Sequence, residues 1–241
     1  MRIREAVSTE DLDEVTRIQR EVWNVEDIDI VGRIQLRASM HAGGSVLVAE
    51  TGDGAIAGFA YAFPALEHGE TFWHSDMLAV RARHRGGKGV GQALKWAQRD
   101  AALAKGIRRI TWTFDPLQAG NAHLNLELLG VTAREYLSNF YGVTSSDLHH
   151  GLPTDRLLAS WALESPRVSA LSRGEKPAPL AAETTVSIPP AWNDLVRLEP
   201  QRARDEQRRV ESELRNAFAR GLVVTAYDKG RAAYVLTREP S

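Results

Sequence analysis

The sequence predicts an α/β protein built on a mixed sheet. Three observations carry this. Period-two segments alternate with amphipathic segments of helical period, a glycine-rich stretch joins a strand to a helix, and a polar stretch near 165 sets off a second, smaller group of elements.

In chain order, MRIREAV alternates as a strand. STEDLDEVTRIQREVW offers Ser8 and Thr9 as caps, acids in its first turn, and Leu12, Val15, Ile18 and Val22 on one helical face. A weaker helical pattern covers about 29–40. SVLVAE, the turn TGDG and AIAGFAYAFPA read as a hairpin reversed at Asp-Gly, and TFWHSDMLAV completes a three-strand meander. After the glycines, VGQALKWAQRDAALAKG reads as a helix with Ala93, Leu94, Ala97, Ala101 and Leu103 inward and Gly106 past its end. IRRITWTFDP is a strand, NAHLNLELLG a short helix closed by Gly130, and TAREYLSNFYG and DRLLASWAL two further strands. SPRVSALSRGEKPAPLAAE has no sustained apolar period and reads as a linker or long loop. Beyond it come a strand TTVSIP, a charged helix with Val210, Leu214 and Phe218 at helical spacing, and the hairpin LVVTAYDKGRAAYVL. The expected organisation is a domain over 1–164, a linker or long loop over 165–183 and a strand-helix-hairpin extension over 184–241.

Composition narrows the chemistry. The net charge of -1 over 241 residues supplies no overall field for nucleic acid or anionic membrane. The absence of cysteine excludes thiolate nucleophiles, disulfides and Cys-containing zinc sites. No run approaches the roughly 20 apolar residues of a membrane span, and the basic start has no apolar segment behind it, so a cytoplasmic protein is expected.

The stretch RHRGGKGVGQAL, 83–94, places Gly86, Gly87, Gly89 and Gly91 where a strand gives way to a helix. Unpaired amides and the positive end of a helix dipole suit a phosphate there. A Walker loop fails, because Lys88 is followed by Gly89 rather than Ser or Thr. A dinucleotide fingerprint begun at Gly89 and Gly91 puts Leu94 at its third small position. With Asp115 as the ribose acid, it leaves an NAD(P)-dependent oxidoreductase as an alternative. The third ligand class is the diphosphate of coenzyme A.

MLAV followed by RHRGGKGVGQAL, with Gly89-Val90-Gly91, resembles the GNAT superfamily of N-acetyltransferases, as does the order of elements to about 164 and the turn and helix NAHLNLELLG. WTFDPLQAGNAHLNLELLG, NFYG and GLPTDRLL look more particularly like an uncharacterised bacterial branch with a C-terminal extension. The resemblance implies a central, mostly antiparallel sheet with helices on both faces and acetyl-CoA as acyl donor, with no metal. It assigns the pyrophosphate to Arg85, Gly86, Gly87, Lys88, Gly89, Val90 and Gly91, and the donor's arm to the main chain of Leu78, Ala79 and Val80. Asn121 would bind cofactor or cap the short helix. Leu126 stands where the family commonly has a proton-donating Tyr, which leaves a donor-binding regulatory module without turnover as a second alternative.

Acetyl transfer needs a neutral amine and a neutralised leaving thiolate. His74 and Asp76 share one face of their strand, so Asp76 is expected to orient His74 and raise its pKa while the imidazole takes the proton, directly or through water. Glu67 and His68 are alternatives. For the acid, Tyr136 and Tyr141 flank LSNF, and Tyr141 is preferred. His149 and His150 are adjacent and diverge, with no third ligand at useful spacing, so no metal is expected. Trp23, His41 and Trp73 either line the acceptor pocket or pack. The resulting expectation is an N-acetyltransferase acting on a small-molecule amine. Exposed edge strands and the charged C-terminal helix make a homodimer reasonable.

Overall fold

The computed structural model describes residues 1–86, 89–142, 151–178 and 180–238. Gly87, Lys88, His149 and His150 lie outside them. The chain forms two compact units that divide between Trp112 and Thr113, within a strand.

In the first unit, β1 (Arg2–Glu5), β2 (Ser45–Glu50), β3 (Ile56–Glu67), β4 (Glu70–Val80) and the part of β5 (Arg109–Phe114) up to Trp112 lie side by side in that order. The first four pair antiparallel and β4 pairs parallel with β5. Helices α1 (Thr9–Trp23) and α2 (Arg33–His41) cover one face, and α3 (Val90–Ala104) the other. Alternation on β2 sorts the core: Val46 and Val48 join Leu12, Val15, Ile18 and Leu36, while Leu47 and Ala49 join Val90 and Leu94. The mixed, mostly antiparallel sheet with helices on both faces is therefore present.

Local chemistry starts and stops these elements. Ser8 accepts from the Asp11 amide and Asp11 accepts from that of Ser8, a reciprocal cap that opens α1. Arg4 holds Asp11 through two 2.8 Å hydrogen bonds. The β3–β4 hairpin turns at His68 and Gly69, both at positive φ (50° and 82°), the pairing a two-residue loop of this hand needs. Gly58 lets β3 and β4 approach closely, since a Cβ there would sit 2.5 Å from the Ala79 carbonyl oxygen. Gly58→Ala is expected to cost about 1–3 kcal/mol, readable as a lower urea midpoint.

The second unit contains β6 (Thr132–Leu137), β7 (Arg156–Ala162), β8 (Thr184–Ser187), β9 (Leu222–Asp228) and β10 (Ala233–Arg238), in the order β7-β6-β9-β10-β8. β9 pairs with β6 through Ala133 and Val224, so the C-terminal strands continue this unit's sheet. Its helices are α4 (Ala119–Ala122), which runs on as a wider π turn through His123–Leu128, then α5 (Pro166–Ser172), α6 (Trp192–Leu198) and α7 (Pro200–Ala219). Helix α5 folds inside the expected linker: Ser165 caps it, Pro166 opens it and Val168 is buried. The expected strand TAREYLSNFYG stops at Leu137, and the chain turns at Asn139, whose amide is held by Asp155 at 2.8 Å. Among the described residues no helix is long and apolar enough to cross a membrane.

Candidate active site

The site begins with the way β4 leaves β5. The two strands pair at Trp73–Ile110 and His74–Thr111, and β4 then runs on to Val80 paired on its β3 side alone among the described residues. A parallel strand that loses its neighbour leaves amides and carbonyls facing a gap. Leu78, Ala79 and Val80 lie on this stretch. Leu78 and Val80 pack toward α3 and Ala79 toward α1 and α2, as core side chains whose main chain is the exposed chemistry.

On the β3 side the register slips between Tyr61 and Phe63: Tyr61 faces Met77 and Phe63 faces His74, so Ala62 opposes two residues of β4, Ser75 and Asp76. This bulge turns both Asp76 and Met77 to the α1–α2 face. Asp76 thereby lines a cleft of about 480 Å³ whose walls include Val31, Gln35, Ser39, Tyr61 and Phe63. Gln19, wholly buried on α1, fixes the Val31 wall by donating to its carbonyl at 3.0 Å and accepting from its amide at 2.9 Å. The hydroxyls of Ser39 and Tyr61 are 2.6 Å apart. Burial raises the Tyr61 phenol and pushes the Asp76 carboxyl above the ordinary carboxylate range.

His74 is on the same sheet face, its ring 5.4 Å from that of Phe63. Its Nδ1 pairs with the Thr111 hydroxyl at 3.0 Å, so Thr111 and not Asp76 orients the imidazole. The expected rise in its pKa is reversed: burial, with the nearby Lys95, pushes it down. The base pair read from alternation is thus two separate groups, a neutral imidazole and a carboxylate with raised basicity. Glu67 is taken by Arg109 at 3.1 Å, and His68 serves the hairpin turn. Trp73 is buried beneath Lys105, and Trp23 packs edge-on against Phe59; His41 is exposed at the end of α2.

The glycine loop enters α3 without a side-chain cap, leaving the first-turn amides from Val90 onward to a ligand or to water. Gly86 and Gly89 have positive φ, 74° and 68°, which the turn itself demands. Gly91 differs: it is helical, and an added Cβ would meet only Leu78 at 3.7 Å and Val80 at 3.9 Å, ordinary contacts. Neither conformation nor packing explains that glycine. Arg85 folds back, its Nε donating to the Val80 carbonyl at 2.6 Å.

The remaining expected residues belong to the second unit. Tyr141 is exposed, its hydroxyl 2.8 Å from that of Thr113. Tyr136 is buried and donates to Asp155 at 2.7 Å; burial first, and then the Asp155 carboxylate, raise its phenol out of the range of a proton donor. Asn121 lies exposed within α4 and does not cap it, since Gln118 holds the cap position. Leu126 is wholly buried. Asp115 accepts from the Leu117 amide at 2.8 Å. The antiparallel order of β1 to β4 also differs from the parallel sheet that a dinucleotide fold requires, and nothing supports the oxidoreductase alternative.

Two groups escaped the sequence reading. The inward face of α3 carries Lys95 and Gln98, both buried, where apolar period selects Ala93, Leu94, Ala97, Ala101 and Leu103. Thr111 could have been marked as a polar residue in an otherwise apolar strand.

Known proteins agree with this geometry. The family model described as Acetyltransferase (GNAT) family matches residues 9–130. No curated protein matches the sequence. A Salmonella typhimurium protein solved with its cofactor acetyl-CoA superposes with TM-score 0.55 at 22% identity, covering 75% of this chain and 98% of that one. The ribosomal-protein-alanine N-acetyltransferase of Brucella melitensis gives 0.54 at 22% identity, covering 68% and 100%. The phosphinothricin acetyltransferase of Sinorhizobium meliloti, in complex with AcCoA, gives 0.53 at 21%, covering 66% and 86%. The family model spans 122 of 241 residues, and with the forked β4–β5 pair and the uncapped glycine entry to α3 it establishes that this chain belongs to the GNAT acetyltransferase family.

Proposed function

We propose that this protein transfers an acetyl group from acetyl-CoA to the amine of a small-molecule acceptor. The observation that carries the reading is the fork: among the described residues β4 presents an unpaired edge beyond His74, next to a helix entry whose amides no described side chain caps. The donor's arm would lie along Leu78, Ala79 and Val80, and its pyrophosphate against the main chain from Arg85 to Gly91. The acceptor enters the cleft on the α1–α2 face, where Asp76 receives the ammonium proton. His74, neutral and held by Thr111, polarises or relays through water. Tyr141 would serve as proton donor to the thiolate in place of the Tyr that Leu126 replaces, and Asn121 as the cofactor contact that the family resemblance suggests. No metal enters the reaction, and the protein acts in the cytoplasm; a homodimer is compatible with it.

Two mechanisms divide the rate. Holding donor and acceptor together removes the entropy of encounter, and a carboxylate of raised basicity is better matched to an ammonium than an ordinary one. Thermal melting tests the donor. Acetyl-CoA at about 100 times its dissociation constant should add about 2.7 kcal/mol and raise the melting temperature by roughly 5–10 °C, whereas no rise contradicts the reading.

The buried Leu126 favours a second reading, donor binding without turnover. Thiol release across a panel of amines excludes it, and binding without release supports it.

A further inference from the structure

At the point where β4 and β5 part, the first unit buries a lysine. Lys95, on α3, is 2% exposed. Its Nζ donates to Ser75 Oγ at 2.9 Å and to Gln98 Oε1 at 3.0 Å, and lies 3.5 Å from the centre of the Trp112 ring. Ser75 is the first residue of β4 after its last pair with β5, and Trp112 is the first of β5 after the same pair. One head group thus touches both strands on the first step beyond their pairing. A hydroxyl oxygen, an amide oxygen and an indole face all accept from an ammonium, so the setting suits the charged form even as burial pulls the pKa well down. Gln98 must turn its oxygen to Lys95, which leaves its buried Nε2 without a hydrogen-bond partner among the described residues.

Packing alone does not account for this residue. Desolvating an ion is costly, and methionine would fill a similar volume without that cost. The neighbouring strands, already paired for two steps, would also gain by pairing further, since unpaired backbone groups in an interior are unfavourable. A polar head bound to one residue of each strand ties both to α3 instead.

We infer that Lys95 is a positioning residue for the acyl donor: it holds β4 and β5 apart beyond His74 and so keeps the β4 edge from Asp76 to Val80 open for the donor's arm. This rests on the donor site proposed above. The test is calorimetric titration of coenzyme A into the wild type, Lys95→Met, Ser75→Ala and Ser75→Thr, alongside ligand-free melting. Lys95→Met should melt at or above the wild-type temperature, yet bind coenzyme A at least about tenfold more weakly, because the open edge is no longer preorganised. Ser75→Ala should weaken binding about threefold to tenfold, and Ser75→Thr, which restores the hydroxyl, should recover it. A merely structural lysine would move the melting temperature and leave the affinity alone. Folded Lys95→Met that binds like wild type overturns the inference and spares the donor site. If Lys95→Met does not fold, wild-type affinity in Ser75→Ala overturns it. No binding to the wild type removes the donor site itself.

Discussion

Replacing Asp76 with asparagine is expected to lower turnover by about a hundredfold or more while raising the melting temperature at pH 7 by about 2–4 °C. Both effects have one cause. Burial on the bulged stretch of β4 raises the folded-state pKa of this carboxyl above its unfolded value. The folded protein therefore holds the proton more tightly than the unfolded chain. The associated stability is present below the ordinary carboxylate value and is lost as pH rises through the folded value. At neutral pH the wild type carries the cost of an ionised, half-buried carboxylate, and asparagine removes it. The same ionised group is the one able to accept a proton from the acceptor. The acid limb of kcat/KM should accordingly rise through a range above that of an ordinary Asp, and Asp76→Asn should flatten it. Wild-type turnover in Asp76→Asn, with a pH profile unchanged, would take the proton-accepting role away from Asp76.

Gly91→Ala is expected to separate stability from donor affinity. Gly91 is in the first turn of α3 with an ordinary helical backbone, so alanine should stabilise the ligand-free protein by about 0.5–1 kcal/mol. The new methyl meets Leu78 and Val80 at ordinary distances and strains nothing. It also points toward the end of β4, beside which the donor's arm is proposed to run. Acetyl-CoA binding should therefore weaken by about tenfold or more, equivalent to about 1.4 kcal/mol, while urea unfolding shifts to higher concentration. Gain of stability with unchanged affinity would show that the glycine is not a donor contact.

Much of the scaffold was legible because it follows from local chemistry. The Ser8 cap, the hairpin turns, the glycines after α3 and α4 and the period of α1 and α7 each appear where the residues put them. The fork was visible only as a glycine loop beside a family resemblance, since strand separation is a relation between two distant segments. Alternation correctly set His74 and Asp76 on one face, but their partners depend on Thr111 and on a bulge that arises from pairing with Ala62. A hydrophobic pattern also cannot mark Lys95, because its burial is settled by Ser75 and Trp112, each from a different strand. Helix α5, inside the linker or long loop expected over 165–183, escaped notice for the opposite reason. Its Ser-Pro start, read as loop chemistry, is equally the way a short helix begins.

Amide hydrogen exchange, with and without saturating coenzyme A, tests the proposed donor site most directly. Slowed exchange in peptides covering 75–80 and the first turn of α3 is the predicted result, since those main-chain groups would pass from water to the ligand. Unchanged exchange in both segments, with coenzyme A demonstrably bound, would place the donor elsewhere and contradict the account.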